Sequence, residues 1–169
     1  SHFNLDVSLI NCDFLVFSGH KIFAPTGIGV LYINKERYEE MKPYQFGGGM
    51  IKHVSFNHTT FSDPPFKFEA GTPNISGAIG LESAINYTNK IGLEKISIIE
   101  EELYKYAIEK ISSINKLKII GKAKKRSSII SFIIDGINPF DIGSLLDQFG
   151  IAIRTGSHCT QPLMEFFNI

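Results

Sequence analysis

Apolar residues in the first third of the chain form short runs that polar turns separate. Residues 13–17 and 28–33 are short and mostly apolar, which predicts buried strands. The polar turn 18–21 follows the first of these runs, and residues 35–41 fit one or two helical turns. The stretch 42–74 is rich in glycine and proline and predicts a long irregular segment, which in a compact domain is usually functional or disordered.

The remainder of the chain alternates between helical and strand patterns. Residues 75–90 predict one helix, and residues 93–114 carry apolar side chains at spacings of three and four, which predict a second, amphipathic helix. Asn138 and Pro139 supply the cap and first-turn proline of a third helix, which Gly150 ends. The predicted strands of this part are residues 117–121, 127–134 and 151–153, the first two on either side of a basic turn at 122–126. From about residue 90 the pattern therefore predicts a βαβ-like arrangement of helices on a small sheet, with no helix closing the chain.

The composition excludes several classes of protein. The 169 residues include 17 basic and 17 acidic side chains, and a formal charge of zero argues against non-specific nucleic-acid binding. No apolar run reaches the ~20 residues of a membrane span, and the first residues lack the pattern of a signal peptide. Two cysteines far apart, at positions 12 and 159, do not form a disulfide framework. We therefore expect a reducing compartment, the cytoplasm.

Lys21 is the first candidate for chemistry. It lies in a polar turn directly after a predicted buried strand, with Ser18 and His20 within three residues. A lysine amine becomes nucleophilic where burial or neighbouring positive charge lowers its pKa, and it then forms Schiff bases. A hydroxyl and an imidazole beside it could hold a phosphate of the same cofactor. The alternative is a surface lysine in a loop.

Cys159 is the second candidate. It follows a predicted strand in a polar segment that contains Gly156, with Arg154 and His158 nearby. A neighbouring cation stabilises the thiolate, which is the reactive form of cysteine. The alternative is a packed thiol, and this is the interpretation we adopt for Cys12, which precedes an apolar run. The spacing of His and Cys residues does not favour zinc, and no metal site is expected.

Four groups of residues, in order along the chain, carry a resemblance to a known family. They are CDFLVFSGHK (12–21) with APTGIGVLY (24–32), GGGMI (47–51), FEAGTPN (68–74) and RTGSHCTQPLM (154–164). Together they resemble the Suf-type (group II) cysteine desulfurases, which belong to the class V aminotransferase-like enzymes that use pyridoxal 5'-phosphate. The resemblance extends over the whole chain.

The resemblance implies an α/β protein with the PLP-dependent transferase fold type I. Residues 1–89 would be the C-terminal part of the cofactor-binding large domain, and residues 90–169 most of the small C-terminal domain. Because the chain lacks an initiator Met and a closing helix, we expect it to be part of a longer protein, truncated at both ends. Residues 1–169 alone would then hold about half of the site and be inactive.

The resemblance also assigns roles to individual residues. Lys21 would bind pyridoxal phosphate covalently and later carry a proton, while Ser18 and His20 would bind the phosphate group. Thr72 would reach the phosphate bound by the partner subunit of a homodimer. Cys159 would attack the sulfur of L-cysteine, which leaves an enzyme persulfide and releases L-alanine. Arg154 would bind the anionic substrate or stabilise the thiolate.

The implied function is that of a cysteine desulfurase, which supplies sulfur for iron–sulfur cluster assembly. Its partners would be a second copy of the chain and a SufE-like or SufU-like sulfur acceptor, and the plastid stroma would be an alternative to the cytoplasm. A selenocysteine lyase of the same fold is one alternative function. An inactive fragment that binds a partner protein is another, although the presence of both Lys21 and Cys159 argues against it.

This sequence departs from the family's pattern at three positions. Ser157 stands where a second His is usual, Thr160 where an Ala usually follows the Cys, and Lys67 where an Arg is usual. The departure at Ser157 puts any duty of that His in doubt. The His that stacks on the cofactor ring, the Asp that pairs with its nitrogen and a further substrate-binding Arg have no counterpart in residues 1–169.

Overall fold

The computed structural model describes residues 4–121, 123–124 and 126–169. The chain forms two compact units, Ser1–Ser97 and Ile98–Ile169. The division falls within one helix, Leu93–Ile111, whereas the sequence predicts a domain boundary between residues 89 and 90; that boundary stays a prediction.

Within residues 4–97, the first unit contains two antiparallel hairpins, two α-helices and three short 3₁₀ helices. In chain order these are α1 (Val7–Ile10), β1 (Phe14–Ser18), a 3₁₀ helix (Gly19–Ile22), β2 (Gly29–Ile33), a 3₁₀ helix (Lys35–Arg37), β3 (Ile51–Val54), β4 (Thr59–Phe61), a 3₁₀ helix (Phe66–Phe68) and α2 (Ile75–Ile91). The helix α3 (Leu93–Ile111) then begins in this unit and continues into the second. The two strands predicted in this unit, 13–17 and 28–33, and the two predicted long helices are confirmed, with ends that differ by at most three residues.

The strands β1 and β2 pair from Phe14 opposite Ile33 to Ser18 opposite Gly29. Half-buried and exposed residues alternate along β1, as expected for a strand with one covered face. On the covered face Phe17 packs against the core formed by Ala24, Leu81 and Ala84. This core therefore joins the β1–β2 hairpin to α2.

The contact between α2 and the segment after β1 is close because it involves a glycine. A Cβ atom on Gly80 would lie only 2.6 Å from Cγ of Pro25. A side chain at position 80 would therefore push α2 away from Pro25. The helix would then also lose contact with Ala24, which belongs to the core.

Asn74 attaches the start of α2 to the turn before β2. Its Oδ1 accepts a hydrogen bond from the N–H of Gly77 at 2.9 Å, the usual arrangement for a helix N-cap. Its Nδ2 donates to the carbonyl oxygen of Gly27 at 3.0 Å. One side chain therefore caps the helix and holds it to residues 47 positions earlier in the chain.

The expectation of an irregular segment over residues 42–74 is wrong in part. The segment contains the β3–β4 hairpin, in which Ile51 lies opposite Phe61 and Val54 opposite Thr59. The hairpin turn is closed by a hydrogen bond of 2.8 Å from Ser55 N–H to His58 O. The β-branched residues around this turn favour strands, but the surrounding glycines and prolines obscure that signal.

In the described part of the second unit, the chain forms the rest of α3, one antiparallel hairpin and two further helices. These are β5 (Leu117–Ile120), β6 (Ser131–Ile134), α4 (Pro139–Gln148) and α5 (Gln161–Phe167). The pairing runs from Leu117 opposite Ile134 to Ile120 opposite Ser131. The N-cap predicted at Asn138 is confirmed, since its Oδ1 accepts from Phe140 N–H at 2.9 Å. Residues 122 and 125 of the predicted basic turn lie outside the described residues.

Two expectations for the second unit are wrong. Residues 151–153 form no strand, so the βαβ-like arrangement is replaced by an antiparallel hairpin between two helices. A helix, α5, does follow residue 153, and Pro162 in its first turn was the signal for it. None of the helices within the described residues has the length and apolar character needed to cross a membrane.

Replacing Asn74 with Ala should lower the free energy of unfolding by about 2 kcal/mol, because both the helix cap and the bond to Gly27 are lost. Asn34→Ala is the matched control, since Asn34 caps only a three-residue 3₁₀ helix and its side chain bonds only locally. Urea unfolding of the full-length variants measures both losses. Equal losses for the two variants would contradict the long-range role of Asn74.

Candidate active site

The turn that carries Lys21 begins where β1 ends. A 3₁₀ helix, Gly19–Ile22, starts directly after Ser18, and Gly19 at its first position is buried. The N–H of Gly19 donates to the carbonyl oxygen of Ile28 at 2.8 Å. A Cβ atom on Gly19 would lie 2.7 Å from Cγ2 of Ile28 and 3.2 Å from Cβ of Ala24, so only glycine fits there.

The side chains of Ser18, His20 and Lys21 are all exposed. Ser18 precedes the 3₁₀ helix, but its hydroxyl makes no capping bond to it. Ala24, two residues beyond the 3₁₀ helix, belongs to the core, against which Ile22 packs. A hydroxyl, an imidazole and an ammonium group are therefore presented within four consecutive residues on a turn whose other side is anchored in the core. This set of donors is suited to a phosphate group and an aldehyde.

The glycine-rich segment 47–51 packs against the segment that carries Thr72. The N–H of Gly71 donates to the carbonyl oxygen of Gly48 at 2.8 Å. A Cβ atom on Gly47 would lie 3.2 Å from N of Gly71, so the two backbones are in direct contact. Thr72 follows at once and is exposed.

Met50 anchors this pair of segments. Its side chain is 0% exposed, and its Sδ accepts a hydrogen bond from the N–H of Gly47 at 3.2 Å. Its carbonyl oxygen accepts from Ser62 N–H at 2.8 Å, directly after β4. Through the bond from Asn74 to Gly27, residues 68–74 are tied to residues 24–32 as well. Three of the runs noted in the sequence thus come together within the first unit.

Lys67 has a structural role in this arrangement. Its Nζ donates to the carbonyl oxygen of Tyr38 at 2.8 Å and lies 5.4 Å from the centre of the Phe68 ring. The lysine therefore holds the 3₁₀ helix Phe66–Phe68 to the end of the helical turn that follows β2.

In the second unit, α4 supports the segment that leads to Cys159. The N–H of Ile151 donates to the carbonyl oxygen of Leu146 at 3.0 Å. A Cβ atom on Gly143 would lie 2.6 Å from Cγ2 of Thr155, so the segment passes directly over the helix at a glycine. Arg154 lies in this segment, and its side chain is exposed.

Cys159 lies in a tight turn and its thiol is exposed. The turn is closed by a hydrogen bond of 2.8 Å from the N–H of Thr160 to the carbonyl oxygen of Ser157. Its central residues, His158 and Cys159, have φ values of 50° and 65°. A positive φ costs a residue other than glycine about 1–3 kcal/mol in backbone strain. Such strained conformations cluster at functional sites.

The structure distributes the predicted site residues over the two units. Ser18, His20, Lys21 and Thr72 belong to the first unit, and Arg154 and Cys159 to the second. Cys12 is half-buried, whereas the sequence predicts a buried thiol. Among the residues that the structure describes, no three His, Cys, Asp or Glu side chains are placed to hold a metal ion.

The sequence did not assign roles to three residues that shape these segments. Asn74 carried a usable signal, because Asn directly before an apolar helical pattern is a typical N-cap. The roles of Met50 and Thr160 depend on contacts that no local pattern reveals. All three lie inside the runs already noted for their resemblance.

Comparison with known proteins identifies the family. The family model for aminotransferase class-V matches residues 1–169, and the chain belongs to this family. The cysteine desulfurase of Wigglesworthia glossinidia brevipalpis is 52% identical over 169 residues, which are 99% of this chain and 41% of the relative. The cysteine desulfurase of Serratia proteamaculans is 47% identical over the same share of each chain.

Solved structures of two cysteine desulfurases superpose on this chain. The crystal structure of the cysteine desulfurase CsdA (S-sulfonic acid) from Escherichia coli superposes with a TM-score of 0.94 at 36% identity, over 99% of this chain and 42% of that one. The apo structure of a cysteine desulfurase from Thermococcus onnurineus gives a TM-score of 0.89, also at 36% identity. The expected fold, the PLP-dependent transferase fold type I, is confirmed. The chain spans about two fifths of the length of these relatives.

Replacing Met50 with Ala should lower the free energy of unfolding by about 2–4 kcal/mol, because a fully buried side chain is removed. It should also speed amide hydrogen exchange in residues 69–73, which pack on the Met50 segment. Met41→Ala is the control, since Met41 is only half-buried. Urea unfolding and hydrogen exchange of the full-length variants test both effects; unchanged exchange in residues 69–73 would refute the anchoring role.

Proposed function

We propose that the full-length protein is a pyridoxal phosphate-dependent cysteine desulfurase. The observation that carries the proposal is the identity of 52% to a cysteine desulfurase over the whole chain. An exposed lysine on the turn after β1 and an exposed cysteine on the turn before α5 support it further.

The residues of the first unit fit the cofactor. Ser18 and His20 would hold the phosphate with a hydroxyl and an imidazole, and the Lys21 amine would bind the aldehyde covalently. Ser18 directly precedes the 3₁₀ helix that carries His20 and Lys21, so the three groups lie within four consecutive residues. When bound, pyridoxal phosphate supplies an electron sink for the substrate's α-carbon.

Lys21 then has a second task in the proposed reaction. With cofactor and substrate bound, the amine of Lys21 would accept and return a proton at the substrate's carbon atoms. The hydrogen bond from Gly19 to Ile28 holds in place the backbone turn that carries this amine.

Cys159 would accept the sulfur atom. Its thiolate attacks the sulfur of L-cysteine, an S–S bond forms, and the C–S bond breaks with its electron pair going to carbon. Protonation of that carbon gives L-alanine and leaves a persulfide on Cys159. Arg154, exposed five residues before, would bind the substrate carboxylate or stabilise the thiolate.

The protein would form a homodimer and pass its sulfur to a second protein. Thr72 would contact the phosphate bound by the partner subunit of a homodimer. A SufE-like or SufU-like protein would take the persulfide sulfur from the exposed turn at Cys159 for iron–sulfur cluster assembly in the cytoplasm.

The direct test is to purify the full-length protein with pyridoxal phosphate, and to measure its absorption spectrum and L-alanine formation from L-cysteine. Release of alanine together with a protein persulfide is the expected result. Parallel assays with selenocysteine distinguish a selenocysteine lyase, which would turn over selenocysteine but not cysteine. A protein with the cofactor bound and no turnover of either substrate would rule out both enzymes.

Lys21→Ala in the full-length protein should abolish the covalent link to the cofactor and lower alanine formation by about a thousandfold or more, because the proton carrier is lost with it. Borohydride reduction followed by mass spectrometry measures the link. Lys35→Ala, which removes another exposed lysine of the same unit, should behave like the wild type. A reducible adduct at full stoichiometry in Lys21→Ala would place the attachment elsewhere.

Cys159→Ser should keep the cofactor and still bind cysteine but form alanine about a thousandfold more slowly, since a serine hydroxyl cannot accept sulfur. The matched control is Cys12→Ser, which removes the other cysteine of the chain. Spectral titration with cysteine and an alanine assay with an acceptor protein separate binding from transfer. Alanine formation at the wild-type rate would mean that Cys159 is not the nucleophile.

A further inference from the structure

The hydroxyl of Thr160 closes the turn that carries Cys159. Thr160 Oγ1 donates to the carbonyl oxygen of Ser157 at 2.5 Å, and the N–H of Thr160 donates to the same oxygen at 2.8 Å. One carbonyl therefore accepts both bonds across a turn whose two central residues have positive φ. Such a turn is normally made by Gly, Asn or Asp, so here the closing bonds have to oppose a backbone preference.

Thr160 also begins α5. Its carbonyl oxygen accepts from Leu163 N–H at 2.9 Å and from Met164 N–H at 3.1 Å. A threonine before a helix commonly accepts a bond from a helix N–H with its hydroxyl, but Thr160 makes no such bond. Its half-buried hydroxyl serves the turn instead, and water competes less for it there than at the exposed residues 158 and 159.

We propose that Thr160 is a positioning residue for Cys159. The inference rests on the proposed function, in which Cys159 meets the sulfur atom of a bound substrate. By bonding across the turn to the carbonyl oxygen of Ser157, the Thr160 hydroxyl restricts the backbone of Cys159 and with it the directions in which the thiol can point. Within the described residues its hydrogen bond goes to the carbonyl oxygen of Ser157 and not to the thiol, so the intrinsic reactivity of the thiol should not depend on it.

This distinction defines the expected measurements. Transfer from a bound substrate requires the thiol at one position, and small displacements slow such steps strongly. Alkylation by iodoacetamide, a small diffusible reagent, requires only an accessible thiolate. Loss of the Thr160 hydroxyl should therefore lower kcat while KM, the cofactor spectrum and the alkylation rate of Cys159 change little.

The experiment compares Thr160→Val and Thr160→Ser in the full-length protein loaded with cofactor. Val keeps the shape of the side chain but removes the hydroxyl, and should lower kcat about tenfold with KM within about twofold. Ser keeps the hydroxyl and should stay within about twofold of the wild type in both. Mass spectrometry of the Cys159 peptide gives the alkylation rates, which should agree within about twofold for all three proteins.

Hydrogen exchange over residues 155–161 provides a readout that is independent of turnover. Exchange should be faster in Thr160→Val and unchanged in Thr160→Ser, because only the first variant loses the bond to Ser157. If the Val variant has a lowered Tm, Thr160→Ala replaces it, since Ala also lacks the hydroxyl and adds no bulk.

Several outcomes would overturn the inference. If the hydroxyl-free variant keeps a kcat within about twofold of the wild type, the Thr160 hydroxyl does not position the thiol. The same conclusion follows if Thr160→Ser loses as much kcat as the hydroxyl-free variant. An alkylation rate that falls in proportion to kcat means that Thr160 acts on the thiol itself. If the wild type forms no alanine from cysteine, the proposed function fails, and hydrogen exchange alone decides whether the hydroxyl holds the turn.

Discussion

The close approach of the Gly19 backbone to Ile28 is the constraint on which the first unit depends. The hydrogen bond between them ends the β1–β2 pairing and turns the chain directly into the 3₁₀ helix. The absence of a side chain at position 19 lets Ala24 reach the core beside Leu81 and Ala84. The turn that carries Lys21 can therefore pack against the core because Gly19, two positions before the lysine, has no side chain.

Much of this could be predicted from the sequence, because the relevant signals are local. The apolar runs of β1 and β2, the apolar spacing along α3 and the Asn138–Pro139 start of α4 each reflect the geometry of a single element. The candidate residues were found for a similar reason. Lys21 and Cys159 each lie in a polar turn beside an apolar run, and the runs around them resemble one family.

The remaining features depend on contacts between distant residues. The apolar residues of segment 151–153 favour a strand, yet Ile151 bonds to Leu146 of α4 and the segment pairs with no strand in the described structure. Surrounding glycines and prolines obscure the signal for the β3–β4 hairpin, and two of these glycines, Gly47 and Gly71, let the 47–51 and 68–74 segments touch. Likewise, nothing in the local sequence shows that Met50 fills the space beneath them.

The attachment of α2 at two neighbouring places has a consequence for motion. Near its start the helix is bonded through Asn74 to Gly27, and less than two turns later Gly80 lies against Pro25. The lysine-bearing turn and the segment that ends at Asn74 therefore cannot separate unless both attachments break. Local opening of the native protein should release these segments in a single cooperative event, so that a fluctuation in the turn that carries Lys21 also reaches the segment that carries Thr72.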